Sequence, residues 1–152
     1  MSDEALAGGC QCGAVRFSAA LPLGRASICH CRMCQKAFGS FFAPLVSAES
    51  GMSWTRGQPA WFQSSNRASR GFCAACGTPL CYQPEAGVTE LAIGAFDDPA
   101  ALRPTAQHGV IERMSWFAEL LGLPERPYEE VENAEAWLAS IVSCQHPDRD
   151  AD

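Results

Sequence analysis

The amino-acid sequence predicts one mainly β domain, with short strands joined by cysteine-bearing turns and an α-helix near the carboxyl end. Three observations carry that prediction. Apolar residues alternate in short runs, most clearly Val15, Phe17 and Ala19, which is the period of a half-buried strand. Seven of the nine cysteines fall in tight groups: Cys10 and Cys12; Cys29, Cys31 and Cys34; Cys73 and Cys76. Helical spacing appears with conviction only late, at Val131, Ala134, Leu138, Ile141 and Val142.

Taken in order, residues 1–7 read as a loose end that leads through Gly8-Gly9 to the first thiol pair. A strand runs from Ala14 and stops at Pro22 and Gly24. Ile28 leads into the triplet, and Gln35 to Phe38 fits one or two helical turns before Gly39-Ser40. Phe41 to Val46 is a short buried run, in which Pro44 predicts an edge or a bulge. Between Glu49 and Gly71, strand-like pieces surround Trp54 and Trp61-Phe62, punctuated by Gly51, Gly57 and Pro59. Leu80 to Tyr82 reads as the strand leaving the last thiol pair, and Val88 to Phe96 as another, closed by the turn residues Asp97-Asp98-Pro99. Pro127 followed by Glu129-Glu130 supplies a helix start, acids being favoured at the positive end of the dipole. The domain then spans residues 8–143, with flexible ends at 1–7 and 145–152.

A length of 152 residues is enough to bury a core without covalent staples. The formal net charge of −6, scattered arginines and a single lysine, Lys36, speak against nucleic acid or an anionic membrane surface as partner. No run approaches the roughly 20 apolar residues of a membrane span. The acidic start, Met1 to Leu6, lacks the basic-then-apolar pattern of a secretory signal, so a cytoplasmic location is expected.

The cysteine count is odd and the spacing is of the doublet kind, which favours metal over disulfides in such a compartment. Sulfurs two or three residues apart on a turn can converge on one ion, and Zn²⁺ takes four such ligands tetrahedrally. Two pairs make a closed site. A triplet leaves one position open, as in zinc sites that do chemistry. Spacing alone leaves the partition open, since Cys10 and Cys12 could also join two members of the triplet.

Three stretches carry a family resemblance: Gly9-Cys10-Gln11-Cys12-Gly13-Ala14-Val15-Arg16-Phe17; Cys29-His30-Cys31 with Cys34; and Phe72-Cys73 with Cys76-Gly77-Thr78-Pro79-Leu80. Together they resemble the glutathione-dependent formaldehyde-activating enzyme family, the GFA or CENP-V domain on an Mss4-like fold, from about Gly8 to Pro124. Asp97-Asp98-Pro99, Trp116 and Leu123-Pro124 extend the likeness. The resemblance implies two zinc ions per chain: a structural one on Cys10, Cys12, Cys73 and Cys76, and an active-site one on Cys29, Cys31 and Cys34. It also implies a carbon–sulfur lyase activity that joins formaldehyde, or a related small aldehyde, to glutathione or a similar small thiol.

Three thiolates on zinc sum to a formal charge of −1, a poor setting for making hydroxide and a better one for exchanging a soft fourth ligand such as a thiol. Cys29, Cys31, Cys34 and His30 are therefore the candidate catalytic residues. His30 is either a proton donor or a packed bystander, because its ring lies between two ligands. A closed triplet would take its fourth ligand from Cys81, Cys144, His30, His108 or His146. Arg67 and Arg70 can draw a substrate carboxylate or can simply be solvated. Cys81 and the four tryptophans, Trp54, Trp61, Trp116 and Trp137, read most simply as core. The competing function is a non-catalytic zinc module acting through partner contact, and a homodimer is the candidate assembly.

Overall fold

Alternation at the first strand does what the pattern predicts: Phe17 and Ala19 are fully buried, while Ser18 and Ala20 are only partly so. The computed structural model describes residues 4–127 and 133–151. Its strands, in chain order, are β1 (Ala5–Gly9), β2 (Arg16–Ala20), β3 (Ala26–Cys29), β4 (Ala43–Ser47) and β5 (Met52–Arg56). They continue with β6 (Ala60–Ser65), β7 (Ala68–Phe72), β8 (Pro79–Pro84), β9 (Glu90–Ala92) and β10 (Ala106–His108). Helix α1 (Arg32–Phe38) follows β3, and α2 (Ala134–Ala139) lies near the carboxyl end. The fold is mainly β, as expected.

Two sheets form, one of three strands in the order β1-β2-β5 and one of seven in the order β10-β3-β4-β9-β8-β7-β6. Phe17 from the small sheet meets Trp54 edge-on at 6.1 Å between centroids and Phe96 at 5.0 Å. Around them pack Val46, Leu80, Leu91 and Ile93, so one apolar core joins both sheets. All pairings are antiparallel except β10 with β3, where His108 falls in register with Cys29. That parallel pair brings a late segment alongside the thiol triplet.

Several expectations are corrected. The amino end is not loose from Ala5, because β1 pairs along its whole length with β2 and leads directly into the Cys10–Cys12 turn, the first knuckle. Pro44 sits inside the large sheet, opposite Ile28, but pairing of β4 with β9 begins only at Leu45, so its missing N–H costs nothing on that side. The strand predicted over 88–96 is confined to Glu90–Ala92, and Ile93–Ala95 forms a 3-10 turn that folds Phe96 into the core.

The late helix is shorter than its pattern. Glu129, Glu130 and Val131 lie outside the described residues, and α2 ends at Ala139, leaving Ile141 and Val142 52% and 87% exposed. Periodicity alone does not bury a face that meets no partner surface. The carboxyl tail, expected to be free, lies against the first knuckle: His146 N–H donates to Gln11 O at 2.7 Å and Asp150 pairs with Arg16 at 2.8 Å.

Candidate metal centres

The first cluster is assembled from two turns. Cys10 and Cys12 sit between β1 and β2, and Cys73 and Cys76 between β7 and β8, so the four sulfurs join turns of different sheets. Each turn is held by its own backbone. Cys10 N–H donates to Val15 O at 2.9 Å, and Cys73 N–H to Thr78 O at 3.0 Å. Gly77 N–H returns to Cys73 O at 2.8 Å, and its φ of +77° is a conformation in which a Cβ would be strained. Gln11 N–H donates to Thr78 Oγ1 at 3.0 Å and so ties the two turns together.

These sulfurs fit a zinc ion. A tetrahedron with zinc–sulfur bonds of about 2.3 Å has sulfur–sulfur edges of about 3.8 Å. Cys10 Sγ lies 3.6 Å from Cys12 Sγ, which lies 3.8 Å from Cys73 Sγ. Val15 N–H also donates to Cys10 Sγ at 3.2 Å.

The second cluster grows out of one strand–helix corner. Cys29 ends β3, Cys31 is the amino cap of α1, and Cys34 lies in the first turn of that helix. Cys31 Sγ accepts the Cys34 N–H at 3.4 Å, so one sulfur both caps the helix and faces its two neighbours. The helix begins earlier than the sequence pattern implies, at Arg32, and ends on Gly39 in the left-handed conformation. The three ligand atoms lie within 4.8 Å of one another, and among the described residues no fourth Cys, His, Asp or Glu joins the group. Burial pushes the Cys34 thiol up to about 12 against the pull of Arg70, so thiolate there calls for more positive charge than the protein supplies. Three soft donors converging on one corner fit a divalent ion such as zinc.

This cluster faces a cavity of about 280 Å³ lined by all three cysteines with Met33, Leu45, Arg70, Tyr82, Glu90 and His108. Ser27, Ser64 and Ser65 complete the wall. Strands β6 to β9 thus supply the side opposite the helix.

The GFA description fits residues 5–111, as a match to the model for the glutathione-dependent formaldehyde-activating enzyme family. The chain belongs to that family. A solved crystal structure of a Rhodobacter sphaeroides protein is similar in fold, with a TM-score of 0.52 at 22% identity over 67% of this chain and 99% of that one. No curated protein matches the chain.

Within this GFA-family chain the seven clustered cysteines come together in the two predicted groups. Of the two alternatives for His30, the structure shows the packed one. Its side chain is wholly buried and lies outside the cavity, with Nε2 2.9 Å from Gln107 Oε1 and its ring edge-on to Phe117 at 4.8 Å. His108 lines the cavity instead, brought there by the parallel pairing of β10 with β3. The next residue, Gly109, has φ +61°, and a Cβ there would stand 2.8 Å from Cys31 N, so only glycine lets this strand pass the triplet. The His-Gly pair in 108–109 is the one sequence signal for this placement. Cys81 is buried in the main core, Cys144 is exposed, and His146 lies against the first cluster, so none of them closes the second.

Arg70 is a cavity residue, 7% exposed, with Nη2 donating to Cys34 Sγ at 3.4 Å. Arg67 is exposed and pairs with Glu85 at 2.7 Å, away from the cavity.

Proposed function

We propose that this protein is a zinc-dependent enzyme of the carbon–sulfur lyase type. It adds a small thiol, glutathione or a similar compound, to formaldehyde or a related small aldehyde at Cys29, Cys31 and Cys34. The observation that carries this reading is a three-sulfur cluster, with no fourth ligand among the described residues, opening on a cavity of about 280 Å³. Cys10, Cys12, Cys73 and Cys76 hold the structural ion, because they clamp turns from both sheets.

Zinc, when bound, would keep a substrate thiol as thiolate, the nucleophilic form of a group with a free pKa of about 8.5. Cys29, Cys31 and Cys34 hold that ion from one side and leave the side facing the cavity free. Leu45 and Met33 give the cavity an apolar wall against which a small aldehyde can lie. As the sulfur attacks the carbonyl carbon, a carbon–sulfur bond forms and negative charge moves to the carbonyl oxygen. His108 and Tyr82 bring an N–H and an O–H to the cavity, and the proton lost by the thiol ends on the product hydroxyl. His30 fixes the backbone between two ligands: its own N–H donates to His108 O at 2.9 Å.

The cavity lies at the small end of ligand sites, roughly 300–1,000 Å³. It suits an aldehyde and the thiol-bearing end of the partner better than a whole buried tripeptide. A reducing cytoplasmic compartment suits a chain whose cysteines gather in metal-type groups and form no disulfides. The alternative, a binding module with two closed zinc sites, would require a fourth protein ligand on the triplet, for which His108 and Glu90 line the same cavity.

The deciding assay follows the exchange between glutathione plus formaldehyde and their S-hydroxymethyl adduct by NMR at equilibrium. The wild-type protein, carrying close to two zinc ions per chain, is expected to speed that exchange. A rate no faster than buffer with both ions in place would sink the reading.

A further inference from the structure

Arg70 is the cation in the cavity, and the proposed reaction gives it no part. Its Nε donates to Ser64 Oγ at 2.9 Å and its Nη2 to Cys34 Sγ at 3.4 Å. The guanidinium carbon stands 5.1 Å from the centroid of the Tyr82 ring, and Nη1 is buried without a partner. Among the described residues the arginines paired with carboxylates are Arg16 and Arg67, not Arg70. Glu90 lines the same cavity and makes no such pair with it. A guanidinium cannot shed its proton, and its burial is costly unless an anion answers it. The group it donates a hydrogen bond to that can become an anion is the Cys34 sulfur.

Three thiolates on a divalent ion leave one negative charge. Arg70 cancels it. We propose that Arg70 is a positioning residue that acts through Cys34, the built-in counter-charge that lets this site accept an anionic fourth ligand, a substrate thiolate, over a neutral one. The proposal rests on the reading of the cavity as the seat of an incoming thiol. Without Arg70, a thiolate approaches a centre that is already negative; with it, the excess charge of the three sulfurs is answered, whereas Glu90 in the same cavity acts alike in both cases. A unit charge about 5 Å away at an effective dielectric constant of about 20 changes such an affinity by on the order of a hundredfold. Arg70 itself neither gains nor loses a proton; in binding without an aldehyde the thiol gives its own to the buffer, and in the full reaction a proton returns to the product hydroxyl.

The test uses the full chain loaded with Co²⁺, whose visible bands report a new fourth ligand. The four-cysteine cluster is saturated and stays silent. Titrations with 2-mercaptoethanol and with imidazole at fixed pH and ionic strength give two dissociation constants. In Arg70→Gln the thiol is expected to bind about ten- to a hundredfold more weakly, while imidazole changes by less than about threefold. Arg70→Lys keeps the charge and holds thiol affinity within about fivefold of wild type. Equal weakening of both ligands in Arg70→Gln, or an unchanged thiol constant, overturns the proposal. Should the glutamine variant fail to fold, the lysine variant decides: retained affinity supports the counter-charge, and a tenfold or greater loss overturns it. A wild-type protein that binds no thiol sinks the proposed reaction and this role together, whereas thiol binding indifferent to Arg70→Gln sinks only the role.

Discussion

Cys31 meets two demands with one sulfur, capping α1 through the Cys34 N–H at 3.4 Å while facing the cavity beside Cys29. Serine at that position keeps a cap acceptor but is a poor zinc ligand. Cys31→Ser is therefore expected to lower adduct formation by more than about a hundredfold, with one zinc lost per chain and far-ultraviolet circular dichroism unchanged. Retained activity with a single remaining zinc would separate the reaction from this cluster. Thiol reactivity should divide by burial. Cys81 is 3% exposed and burial pushes its thiol up to about 11, whereas Cys144 is exposed. Iodoacetamide on the zinc-loaded protein is expected to label Cys144 and spare Cys81, as read by peptide mass mapping. Arg16 is a third case, 3% exposed, with two bonds of 2.7 Å to Asp97. Asp97→Ala leaves that charge with only the exposed Asp150 for partner, and urea unfolding should show a loss of about 3 kcal/mol. A loss within error of zero would mean that Asp150 suffices.

Among the elements, the turns carry more than the strands they join. The β1–β2 and β7–β8 turns each contribute two sulfurs, so the first cluster is a tie between the two sheets. Cys76→Ser breaks that tie, and because structural zinc contributes folding free energy outright, the variant is expected to unfold or precipitate. Equal damage to circular dichroism from Cys31→Ser and Cys76→Ser would remove the division between the clusters. The turns were legible because doublets of cysteine next to glycine have few other uses. Helix α2 shows the opposite. Its apolar spacing was equally clear, yet Trp137 is 64% exposed and Leu138 40%, because amphipathic spacing says that a face exists and not what covers it. The strand β10 was not legible at all, since three residues without alternation carry no period.

At the scale of the whole molecule, the carboxyl tail returns to the first knuckle through His146, Asp150 and Ala151, the last accepting from Arg56 Nη2 at 2.6 Å. Ending the chain after Cys144 removes these contacts. Since Asp150 is 74% exposed, the expected fall in melting temperature is small, about 3 °C, by calorimetry of the zinc-loaded protein. An unchanged melting temperature would show that the tail lies against the knuckle without holding it. Among the described residues no helix is long and apolar enough to cross a membrane.

The sequence by itself determined the family and the mainly β class, and through the family resemblance the division of seven cysteines into two groups, because cysteine doublets beside glycine are a local signal that needs no tertiary context. Only the tertiary structure decided which other side chains face the second cluster. His30 adjoins two ligands in sequence and turns into the core, while His108 and Arg70, distant in sequence, reach the cavity through the pairing of β10 and the placement of β7. Neighbours along a chain share a backbone, but which way a side chain points is set by what packs against it.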